Sequence, residues 1–395
     1  MAILDSYYRL IARQSGMVSA KTFAVAFLML WVGHARVVKA SHVLNDGLPE
    51  KPVPDQSVKL KAFDWHLYSQ TRYTYTEDEE ERLALRRLKL NMGGNITDHV
   101  QYFIQGLYKN GNGSPTDNHP SVQDAWGAYE FLPSLRFMVG QFKPPFGMER
   151  FTSDARIYTI DRSQATDHLV PNGKLDDSFT RDRGFQLDGW NKQGRLYYAV
   201  GVFEGEGANT KIRNVQPLLT ARLVYQLFDQ RPVLRQPMDI YAGSAFSNRW
   251  ANDLNLSGCC PGPQSRALQS FSGQDTRLNA GCAVDWGNSS LRAEYFYARF
   301  DFRNSTTPDF SADGWYVQIA RYVFDKHIQA VAKFEGFDPN RSVEDKNGVF
   351  ITTLGLNFFM NRDRAKVMVD YLFRQEETDS FSNNALLIQF QLFFK

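Results

Sequence analysis

Apolar and polar positions alternate along most of the chain beyond Val58. In the last segment Gln389 and Gln391 share one face, and the opposite face is formed by Leu386, Ile388, Phe390, Leu392 and Phe394. Residues 291–297, 328–335 and 366–374 repeat the pattern, with charged residues on the polar face. A period of two is typical of β-strands. About sixteen such segments can be placed, which predicts an all-β fold.

The connections between these segments alternate in length. The odd-numbered connections are long and polar, and they cover residues 72–82, 110–120, 146–183, 204–214, 248–273, 301–309, 338–348 and 376–382. The even-numbered connections are mostly short, with one longer connection near residues 229–236. A transmembrane antiparallel β-barrel in an outer membrane produces this alternation, because its loops lie outside the cell and its turns lie in the periplasm. We therefore predict such a barrel, with about 16 strands.

The composition supports a barrel in a membrane. Strands with one apolar and one charged face fit lipid outside and water inside, although a soluble sheet with one solvated face would show the same pattern. Aromatic residues make up 14% of the chain, and aromatic girdles are typical of both interfaces of outer-membrane barrels. Beyond the N-terminus, no run of eighteen apolar residues predicts a transmembrane helix.

The N-terminus has the order of a secretory signal. Arg9, Arg13 and Lys21 precede the apolar run TFAVAFLMLWVG, and small residues follow at Ala35 and Ala40. A membrane anchor is the alternative, but about twelve apolar residues are too few to cross a bilayer as a helix. We predict a signal peptide over residues 1–40, a periplasmic leader over 41–56 and the barrel over 57–395.

The overall charge gives no support for an anion-binding protein. The chain has a net charge of +2, and residues 1–40 contain five basic residues and one acidic residue. The remainder therefore has 40 basic and 42 acidic residues, a net charge of −2. A nucleic-acid partner is not expected, because it would require a basic surplus. Any preference for anions must come from local charges.

The three cysteines predict at most one disulfide. Cys259 and Cys260 are adjacent in a loop rich in Gly, Pro and Ser, and Cys282 lies in a predicted strand. In an oxidising periplasm one disulfide across the base of this loop is expected, with Cys260 and Cys282 as the candidate pair and one thiol remaining. No metal site is expected, since no His or Cys partner stands at ligand spacing.

The third long connection is the candidate functional segment. Pro144 and Pro145 end the strand that includes residues 135–139, and residues 146–183 show no sustained period. Unstructured connections of this length are usually functional. Since a barrel of this size encloses water, an inward-folding loop must form any constriction. This loop together with the preceding Lys143 contains equal numbers of basic and acidic residues. The basic residues are Lys143, Arg150, Arg156, Arg162, Lys174, Arg181 and Arg183, and the acidic residues are Glu149, Asp154, Asp161, Asp167, Asp176, Asp177 and Asp182.

A second basic cluster occurs in an early strand. Leu88 and Leu90 mark the lipid face, so that Arg87 and Lys89 are predicted to point inward. Arg86 has the parity of the lipid face, but it lies near the outer end of the strand, where it can reach water. Fixed guanidinium and ammonium groups can replace the hydration shell of a passing anion.

Three stretches resemble the phosphate-selective porin O and P family. They are GQFKPPFGMERFTSD, LRRLKLNMGG and TLGLNFFMNRDRAKVMVDYLFR. The resemblance extends from about Phe63 to the C-terminus, although Lys395 stands after the aromatic residue that usually ends such barrels. It implies a sixteen-strand outer-membrane barrel, usually a homotrimer, that passes anions and whose third loop folds inward. It also implies that Arg86 and Arg87 belong to a basic ladder and that Arg150 lies near the constriction.

The sequence therefore predicts a passive porin in the outer membrane of a Gram-negative bacterium, with small anions such as phosphate or polyphosphate as its solutes. The candidate residues of the anion pathway and constriction are Arg86, Arg87, Lys89, Lys143, Arg150 and Arg136. A general or weakly selective porin is the alternative. A barrel enzyme or an adhesin is a more distant one, since no catalytic motif stands in a suitable context. No cofactor is implied.

Overall fold

The structure is a computed structural model. It describes residues 63–77, 81–113, 117–171, 181–209, 217–228, 238–255, 267–304, 308–324, 326–341, 348–376 and 383–394. For residues 251–255 and 267–270 it describes the backbone alone. The predicted signal peptide and leader, together with Cys259 and Cys260, lie outside the described residues. Cys282 is half-buried in a strand. Its disulfide with Cys260 stays a prediction.

Sixteen antiparallel strands form one closed barrel, as the sequence pattern predicted. Each strand pairs with the next, and β1 closes the sheet by pairing with β16. The strands are β1 (Asp64–Thr76), β2 (Arg82–Asn95), β3 (Val100–Asn110), β4 (Ser121–Leu132), β5 (Leu135–Phe142), β6 (Asp182–Trp190), β7 (Leu196–Phe203), β8 (Leu218–Phe228), β9 (Met238–Asn255), β10 (Ala267–Trp286), β11 (Ser289–Phe302), β12 (Phe310–Phe324), β13 (Ile328–Asp338), β14 (Val349–Phe359), β15 (Ala365–Glu376) and β16 (Ala385–Phe394).

The two faces of the wall have the predicted polarity. In β16, Gln389 and Gln391 are fully buried, whereas Phe390 and Phe394 are 41% and 46% exposed. Apolar side chains on the exposed face and polar side chains on the buried face are the reverse of a soluble protein. The exposed face is therefore the face toward lipid, and the opposite face, called the lumenal face below, encloses the interior of the barrel.

Three strands are longer than the sequence pattern predicted. β1 continues to Thr76, β9 to Asn255, and β10 begins at Ala267, so these strands extend into segments expected to be loops. Polar residues end the hydrophobic alternation near the membrane boundary, but backbone pairing between strands can continue into water. The remaining long and short connections follow the predicted alternation.

The connection between β5 and β6, called loop L3 below, contains the helices of the described chain. They are a 3₁₀ turn, Glu149–Phe151, and a short helix, α1 (Gln164–Leu169). Ser163 caps α1 by accepting a hydrogen bond from the Thr166 amide. Neither helix has the length and apolar content needed to cross a membrane.

Loop L3 packs against an apolar part of the lumenal face. Phe146 and Leu169 are completely buried in a cluster with Phe296 and Phe337. α1 lies against β11, β12 and β13, and at its first turn Ala165 approaches Gly314, where a side chain on the glycine would not fit. Apolar burial therefore fixes the helical part of L3 on one side of the barrel.

Candidate ion pathway

A carboxylate on β11 anchors the beginning of loop L3. After the prolines, Gly147 takes a φ of +81°, which turns the chain toward the wall. The Met148 and Glu149 amides then donate hydrogen bonds to Glu294 Oε1 (2.6 Å) and Oε2 (3.1 Å). Asn279 Nδ2 also donates to Oε1 at 2.7 Å. The positive φ explains the glycine in FGMER, because a β-carbon at this φ would strain the turn.

A second carboxylate holds two parts of the loop together. Glu149 Oε2 accepts hydrogen bonds from the Ser163 amide (3.0 Å) and hydroxyl (2.9 Å). Arg162 donates to the Thr152 carbonyl oxygen at 2.7 Å. The segment from the 3₁₀ turn to α1 therefore forms a closed unit within L3.

Asp154 joins this unit to the wall at β1 and β2. Its Oδ2 accepts from Lys89 Nζ at 2.5 Å and lies 3.6 Å from Arg87 Nε. Its Oδ1 accepts from Arg162 Nη1 at 2.5 Å. Burial alone would raise the pKa of Asp154, but Arg87, Lys89 and Arg162 hold this pKa well below its usual value. The carboxylate is thus surrounded by three cations, two of them predicted site residues.

Residues 160–161 of L3 contact side chains of β15, β1 and β13. The Ile160 amide donates to Asp370 Oδ2 on β15 at 2.6 Å. Asp161 forms an ion pair with Arg72 of β1 at 2.9 Å, and its carbonyl oxygen accepts from Lys333 Nζ of β13 at 3.1 Å. The loop therefore makes polar contacts with lumenal side chains on widely separated strands.

Lys143 and Arg150 lie together at the root of the loop. Lys143 Nζ donates to the Arg150 carbonyl oxygen at 2.8 Å and lies 5.6 Å from the centroid of the Phe151 ring. Arg150 Nη1 is 3.7 Å from Asp167 of α1. Burial is the main cause that lowers the pKa of Lys143, and repulsion from Arg181 and Arg162 lowers it further.

Arg86 is placed differently from the parity prediction. A β-bulge lies at this point, because Gln70 pairs with Arg87 whereas Thr71 pairs with Leu85. The extra residue is Arg86, which is half-buried and donates to Asn112 Oδ1 at 3.3 Å. A bulge interrupts the alternation of faces, so the lipid-face parity obtained by counting back from Leu88 does not apply to Arg86, and its access to water and its role in the anion pathway stay predictions.

Arg136 lies apart from the loop. It is near the start of β5, at the end of the barrel where the short turns lie. Its guanidinium binds Asp188 of β6 through two hydrogen bonds of 2.9 Å each, and the Tyr197 hydroxyl donates to the same carboxylate at 3.2 Å. A bidentate pair of this kind neutralises Arg136 locally. The structure thus brings Arg87 and Lys89 together at L3 but not Arg136.

Arg222 on β8 is a lumenal cation that the sequence analysis missed. It is 3% exposed, and its Cζ lies 4.3 Å from the centroid of the Phe151 ring and 5.5 Å from that of Tyr241. Among the described residues, its Nε and Nη1 have no hydrogen-bond partner. Its parity was visible in LLTARLVYQLF, where Thr220 and Val224 share its face. The position of Phe151, whose ring covers Arg222, could not be predicted from the sequence.

Buried basic side chains outnumber buried acidic ones in the described part of the chain, with Asp154 and Asp161 among the partly exposed acids. Asp275 of β10 pairs with both Arg249 and Arg277, at 2.7 Å each, as Asp154 pairs with three cations. The buried bases are Arg72, Arg87, Lys89, Lys109, Arg136, Arg150, Arg162, Arg181, Arg222, Arg249, Arg277, Arg292, Lys333 and Lys366, and the buried acids are Asp124, Glu149, Asp182, Asp188, Asp239, Asp275, Glu294, Glu335 and Asp370.

The described residues include no group of three or more His, Cys, Asp or Glu side chains placed to hold a metal ion. Polar and charged side chains line the interior of the barrel. A closed sixteen-strand barrel with an apolar outer face and a charged inner face defines the class of outer-membrane porins.

Comparison with known proteins gives the family. The model of the phosphate-selective porin O and P family matches residues 62–227 and 267–394, and the chain belongs to this family. Family membership and fold support a passive channel in the Gram-negative outer membrane. No curated protein has a significant sequence match to the chain.

Solved porins share the fold at low sequence identity. OmpF of Salmonella typhi, in a complex with daunomycin, is 13% identical with a TM-score of 0.60 over 84% of this chain and 97% of that one. An anion-selective porin from Comamonas acidovorans is 11% identical with a TM-score of 0.59 over 84% and 98%. A trimer form of OmpT from Vibrio cholerae is 12% identical with a TM-score of 0.57 over 84% and 99%.

Proposed function

We propose that this porin prefers small anions and that loop L3 lies in the lumen and narrows it. The observation that carries the proposal is the excess of buried basic over buried acidic side chains in the described chain, although the net charge beyond residue 40 is slightly negative. Asp154 is shared among Arg87, Lys89 and Arg162, Asp275 is shared between Arg249 and Arg277, and two nitrogens of Arg222 have no hydrogen-bond partner among the described residues. Such a field attracts anions and repels cations.

Phosphate is the proposed preferred solute. The family is described as phosphate-selective, and guanidinium groups match the geometry of phosphate oxygens. Arg87 and Lys89 of the wall and Arg162 of L3 converge on Asp154. The positions of Arg86 and Arg150 support their role as further cations at the L3 level. A homotrimer is part of the same proposal, because a related barrel has a trimer form.

A general porin is the second candidate, and one observation favours it. Most lumenal cations are paired, as in the bidentate Arg136–Asp188 contact and the Lys333–Glu335 ion pair of 3.0 Å. Paired charges discriminate weakly between ions of opposite sign, because their fields cancel with distance.

The reversal potential across a planar bilayer in a salt gradient separates the two candidates. We expect a potential of the sign given by anion permeation, and a chloride current that declines as inorganic phosphate is added. A cation-selective or unselective pore would refute the anion proposal, and an anion-selective pore insensitive to phosphate would refute only the preference for phosphate.

A further inference from the structure

The carboxylate of Asp154 occupies a position built for an oxyanion. It receives Lys89 Nζ and Arg162 Nη1 at 2.5 Å each, and Arg87 Nε lies 3.6 Å away. The Tyr68 hydroxyl, at 3.4 Å, completes the shell. Ammonium, guanidinium and hydroxyl donors around one negative group are the contacts that a free phosphate would require.

We propose that Asp154 determines the specificity of this channel by acting as an internal competitor for its anion site. The site consists of Arg87, Lys89 and Arg162, and a permeating oxyanion must displace the Asp154 carboxylate to enter it. This inference rests on the proposed function, because it assumes that anions pass the L3 level.

The displacement requires only a local movement. The backbone around Asp154 is held independently, since Gln70 Nε2 donates to the Asp154 carbonyl oxygen at 3.1 Å and Gln391 Nε2 to that of Ala155 at 3.2 Å. The root of the loop is held by Glu294. The carboxylate can therefore rotate away from its cations while L3 remains attached to the wall.

The competitor favours phosphate over chloride for a physical reason. A carboxylate offers two charged acceptor oxygens in a planar arrangement that pairs well with guanidinium groups. Chloride has one charge and no directed acceptor atoms, so it competes poorly. Phosphate has more acceptor oxygens and up to two charges, so it can exchange with the carboxylate. Because the pKa of Asp154 is held well below its usual value, the competitor stays charged at neutral pH.

The test compares phosphate block of chloride current in three variants. We expect Asp154→Asn to lower the phosphate concentration for half-block about tenfold, because the three cations lose their internal anion. Asp154→Glu should remain close to wild type, since it restores a carboxylate. Asp161→Asn is the matched control, because it removes the same charge from the same loop but from an ion pair with Arg72.

The outcomes separate this inference from the proposed function. An anion-selective wild type whose half-block concentration is unchanged in Asp154→Asn would overturn the inference and leave the function standing. An equal effect of Asp161→Asn would also overturn it, since any lost negative charge would then suffice. A wild-type channel without anion preference would overturn both.

A measurement on the wild-type protein applies even if the Asp154 variant does not assemble. Displacement of the carboxylate removes its contacts with Lys89 and Arg162 from the turn in which the Arg156 and Ile157 amides donate to the Ser153 carbonyl oxygen, while the Gln70 and Gln391 contacts keep the loop on the wall. Hydrogen exchange of these amides should therefore be faster in phosphate than in chloride at equal pH and ionic strength. Equal or slower exchange in phosphate would contradict displacement.

Discussion

Removal of the Arg222 charge should reduce anion selectivity by a calculable amount. Arg222 is packed against Phe151 and Tyr241, so its charge has a fixed position on the lumenal face. At about 5 Å from a passing ion, a unit charge contributes about 0.8 kcal/mol in water, and screening in 0.1 M salt reduces this to about 0.5 kcal/mol. The same charge attracts the anion and repels the cation. Arg222→Gln should therefore lower the anion-to-cation permeability ratio about fivefold.

The assay is the reversal potential of reconstituted channels in a potassium chloride gradient. Arg299→Gln is the control, because Arg299 is 57% exposed, pairs with Asp301 at 2.7 Å and has the outward parity of β11. It removes the same charge from outside the lumen and should leave the potential unchanged. The reasoning would be refuted if Arg222→Gln had no effect, or if both variants shifted the potential equally.

Three further predictions concern the anchors of the wall and the loop. Glu294→Gln should increase the conductance and current noise of single channels, because one of its two backbone amide contacts loses its acceptor oxygen; steady, unchanged currents would contradict this role. Arg136→Gln should destabilise the barrel by about 3 kcal/mol in thermal unfolding, because it leaves the buried Asp188 carboxylate without its bidentate partner; an unchanged melting temperature would argue against it. His168 is stacked on Phe337, and burial lowers its pKa to about 4. Its contribution to stability should be complete above about pH 6.5 and decline toward pH 4, since the unfolded chain takes up the proton first; substitution of this histidine by leucine should remove that part of the pH dependence of thermal stability.

The strands of the barrel wall and their two faces could be predicted from the sequence, because the alternation of apolar and polar residues is local and repeats in each strand. Alternation assigned Gln389 and Gln391 to the interior, and Phe390 to the lipid face, as the structure has them. The alternation of faces does not apply at Arg86, where a β-bulge adds one residue to β2. The bulge at Arg86 shifts the alternation, and nothing in LRRLKL marks which residue is the extra one.

The contacts of loop L3 were beyond sequence reasoning for a different reason. Asp154 was recognised as one of seven acids in a charged segment, but its partners Arg87 and Lys89 lie on a strand more than sixty residues earlier. Which carboxylate meets which cation depends on the path of a loop that has no period. The same holds for Phe151, whose ring covers Arg222 from another part of the chain.

The distribution of charge, rather than its total, is what separates this barrel from a neutral one. Beyond residue 40 the acids slightly outnumber the bases, whereas the buried bases outnumber the buried acids in the described chain. Many acids occur in the predicted long connections, such as the five in the stretch TEDEEER between β1 and β2. At physiological ionic strength a charge acts over about 8 Å, so the acids of outer loops have little effect on an ion at the level of L3. The buried cations act on that ion directly, so the proposed preference for anions is compatible with a chain that has no basic surplus.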